Sequence, residues 1–139
     1  ANTDIRDAEI HYIDAKEDRL YRILNKIAVS ANKYFNYAIN GIETAQIIHY
    51  KAPSNGYGYH IDIGPEGTAA NRKISMTLCL NEEYEGGELC FRTGDNASCT
   101  RPKMGEIVAF SSFISHQVKP VTKGDRYVVV AWFTGPPFK

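Results

Sequence analysis

Apolar and polar positions along this chain follow two different periods, and the change of period divides it. Leu20, Ile23, Leu24, Ile27, Ala28, Ala31, Tyr34 and Phe35 recur at the three-and-four spacing that gathers apolar side chains on one helix face. Asp14 followed by Glu17 has the spacing of a capping box, so a helix is predicted over about 14–36, laid on a core as support. Asn40-Gly41 reads as the turn that ends this region.

From residue 44 onward the period is two. Residues 44–50 and 57–63 are short extended runs split by Ala52-Pro53-Ser54-Asn55-Gly56. In 73–80 the side chains of Ile74, Met76, Leu78 and Leu80 share a face, which is the signature of a half-buried strand. Runs 88–92 and 98–101 flank Thr93-Gly94-Asp95-Asn96 as a hairpin, and 106–110 and 126–133 are rich in β-branched and aromatic residues. Short strands separated by Gly and Pro turns predict a mainly β fold with one N-terminal helix, a sandwich or barrel of the jelly-roll kind. The expected organisation is a single domain over 1–139, with its β core over about 44–134.

Charge narrows the function classes. Sixteen basic and sixteen acidic side chains give a formal net charge of zero, with no electrostatic footprint for nucleic acid or an anionic membrane. No apolar run approaches a membrane span and no secretory leader is visible, so a cytoplasmic protein is expected. Ala1 rather than Met opens the chain, so natural sequence is expected to be missing upstream. Cys79, Cys90 and Cys99 are too few and too irregular for a thiolate zinc site. Cys90 and Cys99 flank the hairpin turn symmetrically and so can face each other across it; a disulfide is one reading, but in a reducing compartment two reduced cysteines are expected. The pattern leaves the oligomeric state open.

The chemistry concentrates in His60-Ile61-Asp62, His116 and Arg126. Two imidazoles and one carboxylate are the set that holds a non-haem Fe(II) on one face and leaves its other positions open. On an extended segment His60 and Asp62 point to the same side, while His116 must come from another strand. Arg126 follows Pro120 and Gly124 onto the next antiparallel strand, where its planar fork suits a carboxylate. An isolated His-x-Asp arises easily by chance; the distant His and the following Arg are what raise it above chance. His11 reads as a surface residue and His49 as an ordinary strand position. Glu82-Glu83-Tyr84-Glu85 reads as a solvated turn, and Gly86-Gly87 as a bend or a close backbone approach.

The runs Tyr57-Gly58-Tyr59-His60-Ile61-Asp62, Leu80-Asn81, Gly86-Gly87-Glu88-Leu89, Gly105-Glu106-Ile107-Val108-Ala109-Phe110, His116-Gln117-Val118-Lys119-Pro120-Val121 and Gly124-Asp125-Arg126 with Trp132 occur in that order. Together they resemble the prolyl 4-hydroxylase-like family of Fe(II)/2-oxoglutarate dioxygenases, in its bacterial and phage branch. The resemblance implies a double-stranded β-helix, a cupin-like jelly roll. It implies iron ligation by His60, Asp62 and His116, and capture of the distal carboxylate of 2-oxoglutarate by Arg126. Tyr50 and Tyr57 match residues that line the co-substrate pocket. Cys79 stands where many relatives place a tyrosine that bonds the same carboxylate. A thiol is a poor donor, so Arg126 would carry more of the recognition, helped by Thr77 or water. Arg72 and Trp132 match residues on the substrate side.

The implied reaction is hydroxylation of a C–H bond, foremost that of a prolyl residue in a peptide or protein, with release of succinate and CO2. Ascorbate is a further candidate cofactor. Two alternatives stand beside it: a hydroxylase of a free amino acid or other small molecule, and a non-catalytic jelly roll that binds metal or 2-oxoglutarate. A zinc hydrolase with the same ligands is disfavoured by Arg126.

Overall fold

The computed structural model describes residues 6–65 and 67–137; the remaining positions of the expected single domain lie outside them. In chain order the elements are β1 (Glu9–Tyr12), α1 (Asp18–Phe35), β2 (Gly41–Ile42), β3 (Gln46–Lys51), β4 (Tyr57–His60), a 3₁₀ turn (Gly67–Asn71), β5 (Arg72–Cys79), β6 (Tyr84–Gly86), β7 (Leu89–Thr93), β8 (Asn96–Thr100), β9 (Ile107–Ser111), β10 (Ser115–Val118) and β11 (Val121–Thr134).

Helix α1 forms where the apolar stripe is, but it starts at Asp18 instead of near residue 14. The capping box does not close. Asp14 Oδ1 instead accepts the Lys16 N–H at 2.8 Å in a tight turn, and Glu17 caps the helix with no side-chain bond. Leu24 and Ala28 are buried, and Leu20, Tyr21, Ile27 and Phe35 pack around them against Ile74, Met76 and Phe133 of the sheet. Ile23 and Tyr34, expected in this stripe, are 48% and 86% exposed. Both lie about 80–100° around the helix from Leu24, past the edge of the contact. The helix ends before Asn40-Gly41: Asn36 turns left-handed at φ 56° and its N–H returns to Asn32 O at 2.7 Å.

All the strand pairing is antiparallel. One sheet runs β1-β3-β11-β5-β9, with β2 and β6 also paired to β11; the other runs β4-β10-β7-β8. Strand β11 is the spine of the first sheet, in register with β3 along one edge and β5 along the other. Its two faces do different things. Val129, Ala131 and Phe133 join Ile74 and Met76 in the core beneath α1. Arg126, Val128, Val130 and Trp132 alternate with them and face the other way. Phe133 and Ile74 are fully buried, and each such side chain contributes on the order of 1.5–3 kcal/mol by leaving water. Strands β1 and β6 were not legible in the sequence, because β1 is exposed at every position and β6 is only three residues long.

The hairpin β7–β8 turns at Gly94-Asp95 with Thr93 opposite Asn96, a register that places Cys90 directly across from Cys99. Their Cα atoms are 4.0 Å apart and the two residues are joined in a disulfide. The expectation of two reduced cysteines is therefore corrected: symmetric flanking of a two-residue turn makes them cross-strand partners, and only buried Cys79 is free. Among the described residues no helix is long and apolar enough to cross a membrane.

Candidate metal centre and its pocket

His60 and His116 are direct cross-strand partners on β4 and β10, so their imidazoles stand side by side with ring centroids 4.3 Å apart. Asp62 lies just past the end of β4, where its backbone N–H donates to Ser112 O at 2.9 Å. That contact bends the chain so that Asp62 Oδ1 sits 3.2 Å from His60 Nε2 and 3.3 Å from His116 Nε2. The three ligand atoms lie within 4.8 Å of one another, the spacing a single ion can bridge.

The orientation of each ligand is set from behind. His60 Nδ1 meets Gly58 O at 2.7 Å and His116 Nδ1 meets Ile114 O at 2.9 Å. A carbonyl acceptor needs the proton on Nδ1, which leaves the Nε2 lone pair for a metal. Asp62 Oδ2 accepts the Ser75 hydroxyl at 2.6 Å and the Trp132 indole N–H at 3.0 Å, so Oδ1 remains available. Burial alone would raise the Asp62 carboxyl. The His116 and His60 edges, which bond to it when their Nε2 atoms carry protons, and the Ser75 hydroxyl outweigh it and hold the group well below the usual carboxylate range; a metal bound at those Nε2 lone pairs would take the protons' place. Tyr57 stacks on His60 with centroids 3.6 Å apart and planes 13° from parallel. This donor set, with two neutral imidazoles and one anionic oxygen, fits a divalent first-row ion.

The triad opens on a cavity of about 300 Å³ whose wall includes Tyr50, Tyr57, Thr77, Arg72 and Trp132 as well as the ligands. Arg126 belongs to the same face of β11 as Trp132, pairs with Tyr50 across the ladder, and holds its guanidinium carbon 5.3 Å from the Tyr50 ring centroid. It is 3% exposed, its Nε has no hydrogen-bond partner, and it takes part in no ion pair among the described residues. A buried guanidinium left in that state is costly, and a carboxylate would satisfy it. Gly87, at φ +70°, makes room for it: a Cβ there would come within 2.9 Å of Arg126 Cδ. Burial pushes the Tyr50 phenol up to about 12 in spite of the neighbouring Arg126 and Arg6 charges. These residues fit a dicarboxylate whose far end meets Arg126.

The structure does not bring Cys79 to the cavity wall. Its thiol donates to Asn81 O at 3.1 Å and Pro102 O at 3.4 Å instead. Arg72 is gathered to the site with its fork already held: Nε and Nη2 donate to the Glu43 carboxylate at 2.7 and 2.9 Å, and Nη1 reaches Asp62 O at 3.1 Å. Its guanidinium lies 4.0 Å from the Trp132 ring centroid. His11 is on the surface as expected. His49 is more than an ordinary strand position, since its Nε2 meets Asp125 Oδ1 at 2.7 Å beside Arg126.

Sequence reasoning missed Ser75, Asn81, Arg6 and Gln46. The alternation of β5 marks Ser75 as facing away from the helix, which was the available signal. Asn81 donates to Asp125 O at 2.7 Å and accepts from Tyr127 N–H at 2.9 Å, gripping β11 on both sides of Arg126. Arg6 and Gln46 carry no local motif: Arg6 comes to the cavity on the N-terminal segment, through the Asp7–Gly56 bridge and the pairing of β1 with β3, and Gln46 sits on β3 opposite Val130 of β11.

The 2OG-Fe(II) oxygenase superfamily matches this sequence over residues 45–134, and the chain belongs to that family. Among curated relatives, a PKHD-type hydroxylase of Prochlorococcus marinus (strain NATL1A) is 40% identical over 80 residues, covering 56% of this chain and 36% of that protein. A PKHD-type hydroxylase of Acaryochloris marina (strain MBIC 11017) is 35% identical over 111 residues, covering 77% and 50%. The chain spans about half or less of the length of such relatives. Among solved structures, a Pseudomonas putida prolyl-4-hydroxylase superposes with TM-score 0.81 at 23% identity, covering 98% of this chain and 76% of that one. A Trichoplax adhaerens prolyl hydroxylase, in complex with a hypoxia inducible factor oxygen degradation domain peptide fragment, gives TM-score 0.78 at 21% identity, covering 96% and 66%. Family membership implies Fe(II) and 2-oxoglutarate as cofactor and co-substrate.

Proposed function

We propose that this protein is an Fe(II)- and 2-oxoglutarate-dependent dioxygenase that hydroxylates a C–H bond, foremost of a prolyl residue in a peptide or protein. Its domain is read as a double-stranded β-helix. The observation that carries the reading is Arg126, a buried guanidinium without a carboxylate partner, on the same strand face as the Trp132 that supports the metal triad. A structural metal site would have no use for such a residue. The prolyl hydroxylase neighbours support a peptide substrate, one of them having been solved with a peptide.

In this reading His60, Asp62 and His116 hold the iron, and Arg126 fixes the far carboxylate of 2-oxoglutarate beside Tyr50. Bound together, iron and 2-oxoglutarate would supply the activation of O2 for C–H hydroxylation: one oxygen atom ends in the new hydroxyl and the other in succinate, as 2-oxoglutarate loses CO2. Everything else is positioning by the chain. Ser75 and Trp132 keep Asp62 aimed, the Gly58 and Ile114 carbonyls fix the imidazole tautomers, and Tyr57 covers His60 from solvent. Arg72, braced by Glu43 and laid over Trp132, forms the side of the cavity against which the substrate rests. Thr77 lines the co-substrate end, and ascorbate serves as an accessory reductant.

The test is anaerobic titration of Fe(II) and 2-oxoglutarate, watching for the weak visible band of the chelate, followed by succinate release in air. A band that is lost in His116→Ala and shifted to higher 2-oxoglutarate in Arg126→Ala is expected. A folded protein with no band would sink the proposal.

A further inference from the structure

Arg6 lines this cavity beside Arg72, and nothing in the proposed chemistry uses it. It enters from the N-terminal segment, tied across the mouth by the Asp7–Gly56 bridge and by the pairing of β1 with β3. Its guanidinium stands over the Tyr57 ring, 5.5 Å from the centroid, and lines the same wall as the triad. Its Nε is buried without a hydrogen-bond partner, and its single hydrogen bond among the described residues is a long one, Nη2 to Gln46 Oε1 at 3.4 Å. Asp7, the next residue, makes no ion pair with it among the described residues; its Oδ2 accepts the Asn55 N–H at 2.7 Å. Gln46 is itself 6% exposed and lines the cavity, and its side-chain amide N–H groups have no partner among the described residues.

Charge decides what this pair awaits. Arg72 is already neutralised by Glu43. A divalent ion, the Asp62 carboxylate, the two carboxylates of 2-oxoglutarate and the Arg126 guanidinium are together neutral. Among the described residues, Arg6 is then the cation on the cavity wall left without a counter-charge, and its buried Nε makes an unpaired charge costly. We infer that Arg6, with the Gln46 amide beside it, is a carboxylate-binding position for the primary substrate. The substrate class is thus one whose target C–H group lies close to a free carboxylate, either a terminal carboxylate or an acidic side chain next to the target residue. This inference rests on the dioxygenase reading for its charge balance.

The test uses Zn(II)-loaded protein saturated with 2-oxoglutarate, which binds without turnover, and reads the fluorescence of Trp132, the chain's one tryptophan. Two probe pairs separate the two sources of carboxylate. N-acetylproline against N-acetylprolinamide tests a terminal carboxylate, and N-acetyl-prolyl-aspartyl amide against its asparaginyl counterpart tests an acidic side chain. In the wild type one carboxylate probe is expected to bind at least tenfold tighter than its neutral twin. Arg6→Gln should bring that ratio near one and Arg6→Lys should keep part of it, both with 2-oxoglutarate affinity changed less than twofold. No preference in the wild type for either pair, or a preference that survives Arg6→Gln, overturns the inference. So does a parallel loss of 2-oxoglutarate affinity in Arg6→Gln, which would assign Arg6 to the co-substrate. Failure of the dioxygenase reading shows separately, as absence of metal-dependent 2-oxoglutarate binding in the wild type.

Discussion

The indole Nε1–H of Trp132 donates to Asp62 Oδ2 at 3.0 Å, which ties the last strand directly to the carboxylate of the metal triad. Trp132 thereby has a second task beside the substrate-side role its position suggested. Supporting groups of this kind are worth roughly 10–100-fold in metal affinity. Trp132→Phe should keep the packing yet weaken Zn(II) or Mn(II) binding on that scale by calorimetry, whereas an unchanged affinity would mean that Ser75 alone suffices to orient Asp62.

Asn81 should act on Arg126 without touching the co-substrate. Its amide grips the backbone on either side of that arginine, through Asp125 O and the Tyr127 N–H. Asn81→Ala forfeits two hydrogen bonds of about 1 kcal/mol each. The expected result is a several-fold rise in the KM for 2-oxoglutarate with kcat little changed. A loss of stability with an unaltered KM would make Asn81 a fold residue only.

Tyr50 predicts a pH effect whose sign follows from its raised phenol. The folded group ionises near 12 against an ordinary 10.0, because burial disfavours the phenolate. Stability from this residue is fully present below pH 10 and falls as the unfolded chain ionises, by about 2–3 kcal/mol by pH 12. Urea denaturation of the wild type and Tyr50→Phe at pH 9 and pH 12 measures it. The variant should lose less stability than the wild type by about that amount, and equal losses would remove Tyr50 as the cause.

The mainly β character and the grouping of His60 with Asp62 were legible because both rest on short-range regularities. A period of two along β3, β5 and β11 marks their faces, and His60 and Asp62 are two residues apart, although a bend past β4 and not an extended segment aims the carboxylate. What was not legible depended on contacts between distant segments. The role of Ser75 needs Asp62 from the segment after β4, and Arg6 reaches the site through the Asp7–Gly56 bridge and an exposed edge strand, β1, that pairs with β3. The start of α1 was misplaced for a similar reason: Asp14 and Glu17 have capping spacing, but the local turn at Lys16 claims the Asp14 side chain first. Cys79 occupied the right place in the sequence, yet two backbone carbonyls hold its thiol away from the cavity.

The Cys90–Cys99 cross-link should contribute to stability without governing the site. It closes a loop of nine residues' separation, which constrains the unfolded chain by roughly 2–3 kcal/mol. Cys99→Ser leaves the buried Cys90 side chain in place and should lower the unfolding free energy by up to about that amount in chemical denaturation. Metal affinity should stay within twofold. A large loss of metal binding would show that the hairpin steers β10, and through it His116.

Strand β11 places Arg126 and Trp132 on one face of a single uninterrupted stretch of extended chain. An inserted or deleted residue between them would turn one of the two toward the helix and leave the other in the cavity. The reach from co-substrate anchor to metal support is thus counted in residues, and the count must stay even. Changes of length along this stretch keep both groups on one face only in steps of two, while the Gly94-Asp95 tip, which carries neither group, lies outside that constraint.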